Sequence, residues 1–359
     1  MRVLRVDFYH DKYRGKDMEK APRPIRSELK SHRIVQEEEK PIRWSYIKIL
    51  REHSDLKEFY PEIDPYAEAY RMRDNMWAIY TESLDGAGDP WMYLINGPER
   101  AMLIDTSFGL GDLKGLVNYL TGNKELIVVN THAHPDHCMG NGQFERIYCN
   151  EYEVPFMEKK NDPHIWVSLF DENRRPLYTE FDPADLIDFH PFEIIGVPDG
   201  YRFDLGQGYE VELVHLPGHS AGMSGFIDHC NRILFSGDLT GILNKPADTP
   251  YWHLHTVEAL RDGLLRLQPR LSEIEGVFPG HGMLDQSPVT IEYLLQTAEA
   301  ILKDPQNYDR IRTTIRRGTP RISCDKYIYQ GSAVRYSPEN VYYSQDPDNK
   351  TCREENNHA

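Results

Sequence analysis

From about residue 75 the chain alternates short apolar blocks with polar punctuation. The runs MWAIYTES, WMYLING and RAMLIDTS are β-prone and separated by Gly, Pro and Asp turn signals, which predicts sequential strands. The period then changes. In GDLKGLVNYLTGN, Leu113, Leu116, Val117 and Leu120 recur at helical spacing, and Gly122 stands where a C-terminal glycine belongs. ELIVVNTH reads as a buried strand, YEVELVHLPG and RILFSGD as two more, and GVFPGHG as a last one. TVEALRDGLLRL, between the last two, predicts a helix with Thr256 as N-cap. SPVTIEYLLQTAEAILKD predicts a longer one, with Ser287 as cap and Pro288 at the first helical position. Grouped strands with interspersed helices predict sheets packed together and covered by helices, an α/β (α+β) architecture.

The flanks have a different texture. Residues 1–72 are charged and mixed and read as an N-terminal extension, with an amphipathic helical stretch around Trp44, Ile47 and Leu50. The patterned region spans 73–304. Within it, residues 155–200, rich in Pro, Asp and aromatics, separate two strands by more than an ordinary loop and read as a lid-like insertion. Residues 305–359 read as a C-terminal extension whose last dozen residues have a disordered composition.

Charge and cysteine content narrow the function classes. Lys+Arg 41 against Asp+Glu 57 gives a formal charge of −16, which disfavours nucleic acid and anionic membrane surfaces. No signal-peptide h-region and no apolar run of about 18 residues is present, so the expectation is a soluble, unexported protein. The five cysteines, Cys138, Cys149, Cys230, Cys324 and Cys352, are widely spaced with no C-x-x-C pair. That suggests neither a disulfide framework nor a thiolate zinc site, and fits a reducing cytoplasm. A homo-oligomer is compatible with the sequence.

The chemistry concentrates in THAHPDHCMGN, directly after ELIVV. In an extended segment residues two apart point the same way, so His132, His134 and Asp136 are expected to converge while His137 turns to the other side. One short loop then serves two neighbouring metal ions. Imidazole and carboxylate suit zinc, with iron or manganese also open, and a set without cysteine points to an open catalytic site. The same device recurs three times: an apolar strand, a small-residue turn and then one ligand-type side chain, at His219, Asp238 and His281. Strand ends converge on one metal cluster.

With these motifs in place, the chain resembles the metallo-β-lactamase superfamily, whose pattern H-x-H-x-D-H, then H, D and H is complete here over roughly residues 75 to 300. The resemblance implies a four-layer αβ/βα sandwich with the site at the edge between the sheets. It implies His132, His134 and His219 on a first divalent ion, Asp136, His137 and His281 on a second, and Asp238 bridging them. Asp105 matches a position where that family often has a carboxylate behind the metal ligands; a plain turn after a strand accounts for it equally well. A bridging aspartate marks the glyoxalase II-like thioesterases, lactonases and phosphodiesterases rather than the antibiotic-hydrolysing enzymes. The chain lacks a recognisable copy of the glutathione-binding region of glyoxalase II.

The expected reaction is hydrolysis of a small ester, lactone or thioester by a metal-activated hydroxide, with Asp136 or Asp238 orienting it or receiving its proton. Tyr251, Trp252, His253 and His255, which follow Asp238, and Trp166, Phe170 and Tyr178 in the insertion are the candidate substrate contacts. Two alternatives stand beside it: phosphodiester or nucleic-acid hydrolysis, supported by Arg310, Arg312, Arg316, Arg317 and Arg321, and an iron oxygenase of the persulfide dioxygenase type. Cys138, beside the ligands, reads as a small buried packing residue.

Overall fold

A computed structural model describes residues 27–34, 41–243, 250–316, 319–328 and 332–345. The expected disorder of the last dozen residues falls outside them, as does most of the extension before residue 27.

Two sheets form the centre. The larger has eight strands, in spatial order Glu193–Val197, Arg146–Asn150, Glu125–Val129, Arg100–Ile104, Trp91–Asn96, Met76–Tyr80, Glu68–Arg73 and Lys57–Glu58. The smaller has five: Arg202–Asp204, Glu210–His215, Ser224–Asp228, Ile233–Gly237 and Gly276–Pro279. Period-2 alternation decides which side chains meet. Met76, Ala78 and Tyr80 face the inner core with Tyr93, Ile104, Leu213, Phe226, Phe235 and Phe278, while Trp77 and Ile79 face outward against Leu113, Leu116 and Val117. On the far side, Val214, Ile227, Leu234 and Val277 pack against Leu260, Leu264, Leu294 and Leu295. The result is the expected four-layer αβ/βα sandwich.

The helix signals act where the pattern placed them. Leu113–Thr121 begins at Asp112, whose carboxylate accepts from Gly115 N at 2.8 Å, and ends on Gly122 at φ 69°. Val257–Leu267 is capped by Thr256, which accepts from Ala259 N at 3.1 Å. The last helix, Val289–Lys303, starts one residue later than expected, with Pro288 at the cap.

The sandwich also draws on the flanks. Strand Glu68–Arg73 pairs with Met76–Tyr80, inside the segment read as extension. Helix Pro41–His53 is tied to that strand by Arg51, buried and forked onto Glu68 at 2.8 and 3.2 Å. The end of the 155–200 segment is not lid: Glu193–Val197 is an edge strand parallel to Arg146–Asn150. The C-terminal segment is likewise built in. Strands Arg310–Arg316, Thr319–Tyr327 and Ala333–Tyr336 join Gly241–Ile242 in a four-stranded sheet, and Cys324, Val334 and Tyr336 complete the outer helical core.

Candidate metal centre

The ligand-type residues sit just past strand ends, where backbone direction is free to change. After Glu125–Val129 the chain bends at Thr131 and reaches His134, which is extended at φ −74° and ψ 153°, then Pro135 opens a single helical turn, Pro135–Cys138, with His134 at its N-cap. This corrects the expected alternation. Asp136 does not converge with His132 and His134; the turn carries Asp136 and His137 toward His281. The loop is held from behind: Asn130 donates to the His137 carbonyl at 2.9 Å, and Asn141 donates to Asn130 at 2.9 Å.

Glycine allows the close approach of the other loops. A Cβ at Gly280 would lie 2.3 Å from Asp238 Oδ1 and 2.9 Å from His137 Cε1. At Gly237, φ is 55° and a Cβ would meet Met223 Cε at 2.0 Å.

Three groups of donor atoms result: His132, His134 and His219; His132, His137 and Asp238; and Asp136, His137 and His281. In the first, His134 Nδ1 lies 3.0 Å from His132 Nε2 and 2.8 Å from His219 Nε2. In the last, His281 Nε2 lies 3.3 Å from His137 Nε2 and 3.1 Å from Asp136 Oδ2. Asp238 Oδ2 stands between them, 3.3 Å from His281, 3.7 Å from His219 and 3.8 Å from His137.

The far nitrogens say what the near ones can do. Thr131 Oγ1 donates to Asp105 Oδ2 at 2.8 Å, so it accepts from His132 Nδ1 at 3.0 Å. His137 Nδ1 donates to Asp105 Oδ2 at 2.8 Å, His281 Nδ1 to the Asp89 carbonyl at 2.9 Å, and His219 Nδ1 to the Gly241 carbonyl. With those Nδ1 protons committed outward, each of these rings in its neutral form presents an Nε2 lone pair to a common centre. Lone pairs 3 Å apart repel unless a cation lies among them, so the donor set fits divalent metal.

The electrostatics divide the cluster. Burial and the neighbouring imidazoles pull His132 well below the usual histidine range and His134 down to about 3; burial also lowers His219. Burial opposes charge on His137 and His281 too, but the carboxylates of Asp136 and Asp238 prevail, joined at His137 by Asp105. They hold His137 up at about 9 and His281 well above its ordinary value. In turn these imidazoles keep Asp136 and Asp238 ionised despite their burial. His132 and His137 form a closed floor, whereas the side chains of His281 and Asp238 are 28% and 17% exposed, so solvent reaches the cluster from their side.

The remaining candidates are distributed as follows. Asp105, at φ 64°, receives Thr131 N at 2.7 Å as well as Thr131 Oγ1 and His137, so it is more than a turn. Trp252 stacks on buried His255 at 5.9 Å, His255 meets Phe156 at 5.6 Å, and burial drops its pKa to about 4. His253 lies against Tyr343, away toward the C-terminal segment. Trp166 is buried and donates to the Phe108 carbonyl at 2.7 Å, which ties the insertion to the loop after Arg100–Ile104, and Phe170 packs on Phe181, so both are packing residues. Tyr178 lies on Gly86, in the loop leading to Asp89, and Tyr251 lies on Tyr152; both remain exposed. Cys138 is buried packing, its thiol pushed up by burial. Arg312 pairs with Asp325, as does Arg335. Arg317 lies outside the described residues, as does segment 244–249 next to Asp238.

A family model of the metallo-beta-lactamase superfamily matches residues 85–305. The chain belongs to that superfamily. Among individual relatives it is similar to the acyl-coenzyme A thioesterase MBLAC2 of Homo sapiens, 27% identical over 209 residues, 53% of this chain and 72% of that protein. The protein of the same name from Gallus gallus is 26% identical over 212 residues, covering 53% and 71%. Similar solved structures include a metallo-beta-lactamase from Pontibacter korlensis, with TM-score 0.46, 16% identity and coverage of 65% of this chain and 99% of that one. Another is the DIM-1 metallo-beta-lactamase, with TM-score 0.45, 19% identity and coverage of 66% and 99%.

Proposed function

We propose that the chain is a metal-dependent hydrolase of an organic carbonyl substrate, with acyl thioesters the first class to test and esters and lactones next. The observation that carries the reading is the place of Asp238 between two groups of donors whose imidazole protons are committed outward. On this reading His132, His134 and His219 would hold one divalent ion and Asp136, His137 and His281 another, with Asp238 available to both; zinc suits the set best. Bound there, the ions would polarise the carbonyl oxygen and lower the pKa of a water. A carboxylate oxygen of Asp136 or Asp238 would orient the attacking water and accept its proton. Asp105 fixes the ring of His137, and Tyr178, Tyr251 and Trp252 are the side chains assigned to the pocket walls. The thioester preference draws its support from the relatives named acyl-coenzyme A thioesterase.

The test is thiol release from acyl-coenzyme A substrates by the zinc-loaded full chain, run beside lactones, aryl esters and phosphodiesters. Chelator-sensitive turnover, fastest on a thioester, is expected. Turnover of phosphodiesters alone, or turnover indifferent to chelator, would overturn the proposal.

A further inference from the structure

Directly behind the three-imidazole group lies a buried carboxylate, Glu153, 1% exposed, that none of the motifs includes. It sits at the end of the turn Glu151–Glu153, which directly follows strand Arg146–Asn150 and is started by Asn150, whose side chain accepts from Tyr152 N at 3.0 Å. Its two oxygens face two different loops. Oε1 accepts from Ala133 N at 2.8 Å, the backbone between His132 and His134. Oε2 accepts from Ser220 Oγ at 2.9 Å and Gly222 N at 2.8 Å, one and three residues past His219. The approach is possible only because residue 222 is glycine: a Cβ there would lie 2.4 Å from Glu153 N and 2.5 Å from Glu153 Cβ. Elsewhere, a main-chain bond from Ser224 N to Thr131 O, 3.0 Å, joins the same two loops.

We propose that Glu153 is a positioning residue whose carboxylate sets the spacing between the His132/His134 loop and the His219 loop, and so the affinity of that three-imidazole group for its ion. The inference rests on the metal reading above. The residue type follows from the partners. All three contacts are donors arriving from two directions, and a carboxyl group is the side chain that turns an acceptor oxygen to each; burial pushes this one up to about 7, against the three hydrogen bonds, which favour its ionised form. A glutamine in the same place keeps one oxygen and turns an NH2 toward the other loop. The Ser220 hydroxyl can rotate to accept from that NH2, but a backbone N–H cannot, so either Ala133 N or Gly222 N is left unpaired in the interior. Aspartate is one methylene too short to reach both loops. The other group, Asp136, His137 and His281, is held by different partners, Asp105 and the Asp89 carbonyl. The effect is therefore confined to one of the two ions.

The test uses the full chain with Glu153→Gln and, in parallel, Ser220→Ala, which removes one of the three donors and leaves no new unpaired backbone group. Zinc dissociation constants come from competition with a chromophoric chelator, and cobalt substitution reports coordination through its visible spectrum. The parent is expected to show two binding steps. In Glu153→Gln one step weakens roughly 10- to 100-fold and the other stays within about threefold, and the cobalt spectrum changes at the weakened site; Ser220→Ala shifts the same step by less. Should Glu153→Gln fail to fold, Ser220→Ala decides alone. Two unchanged steps, or two steps weakened alike, overturn the positioning role while leaving the metal reading intact. A parent that binds no ion overturns the metal reading itself.

Discussion

Asp105 offers a quantitative test of how the centre is held. It receives three buried donors, Thr131 N at 2.7 Å, Thr131 Oγ1 at 2.8 Å and His137 Nδ1 at 2.8 Å, from a backbone at φ 64°. Asp105→Ala removes every acceptor at once. The Thr131 hydroxyl can rotate to another role, which leaves Thr131 N and His137 Nδ1 without a partner; a buried donor so orphaned costs about 1–3 kcal/mol, and alanine in the left-handed region adds roughly 1 kcal/mol, so a destabilisation of about 3–7 kcal/mol is expected. Asp105→Asn tolerates that backbone and keeps one acceptor oxygen, which limits its cost to about 1–3 kcal/mol. The assay is denaturant unfolding of chelator-treated protein, so that bound metal does not mask the difference, followed by zinc titration of each variant. His137, released from its partner, should bind zinc roughly 10- to 100-fold more weakly in both variants. An alanine variant within about 0.5 kcal/mol of the parent, or one no worse than the asparagine variant, would mean that Asp105 does not hold this loop.

Other expectations follow from the same geometry. Gly280→Ala places a methyl 2.3 Å from Asp238 Oδ1 and 2.9 Å from His137 Cε1, and should reduce both zinc content and turnover by at least tenfold, by elemental analysis and rate measurement, while far-UV dichroism stays parental. Asp64 is a buried carboxyl that burial pushes up to about 7 against the hydrogen bond from Tyr66 N. Because its proton is held more tightly folded than unfolded, its contribution to stability is complete below about pH 4 and is lost as pH rises through about 7, a fall of a few kcal/mol. Asp64→Asn should flatten that fall in denaturation curves taken between pH 5 and 8; an unchanged pH profile would contradict it.

Much of the sandwich is legible in the chain because its strands are buried on alternate faces and its helices carry local caps. Asp112, Gly122 and Thr256 act within four residues of their own position, where sequence speaks directly. The ligand positions are legible for a related reason: each follows a strand end and a small-residue turn. The parts that stay hidden depend on distant partners. Strand Glu193–Val197 shows no clean alternation, since only Val197 is fully buried, and the parallel neighbour that makes it a strand is about fifty residues earlier. Pro135 converts the predicted extended loop into a helical turn and so redistributes Asp136 between the groups. Glu153 is one of 57 acidic residues until the fold brings Ala133 and Gly222 to its two oxygens. Asp89 acts on His281 through a backbone carbonyl, which no side-chain pattern can signal.

Seven side chains, His132, His134, His219, Asp136, His137, His281 and Asp238, are proposed to hold two metal ions on which turnover depends. Elemental analysis of full-length protein purified without chelator, repeated on Asp238→Asn, addresses this most directly. Close to two divalent ions per chain, zinc foremost, are expected in the parent, with a marked loss in the variant together with its activity. Absence of bound metal in an active parent protein, or full metal content and turnover in Asp238→Asn, would contradict this assignment.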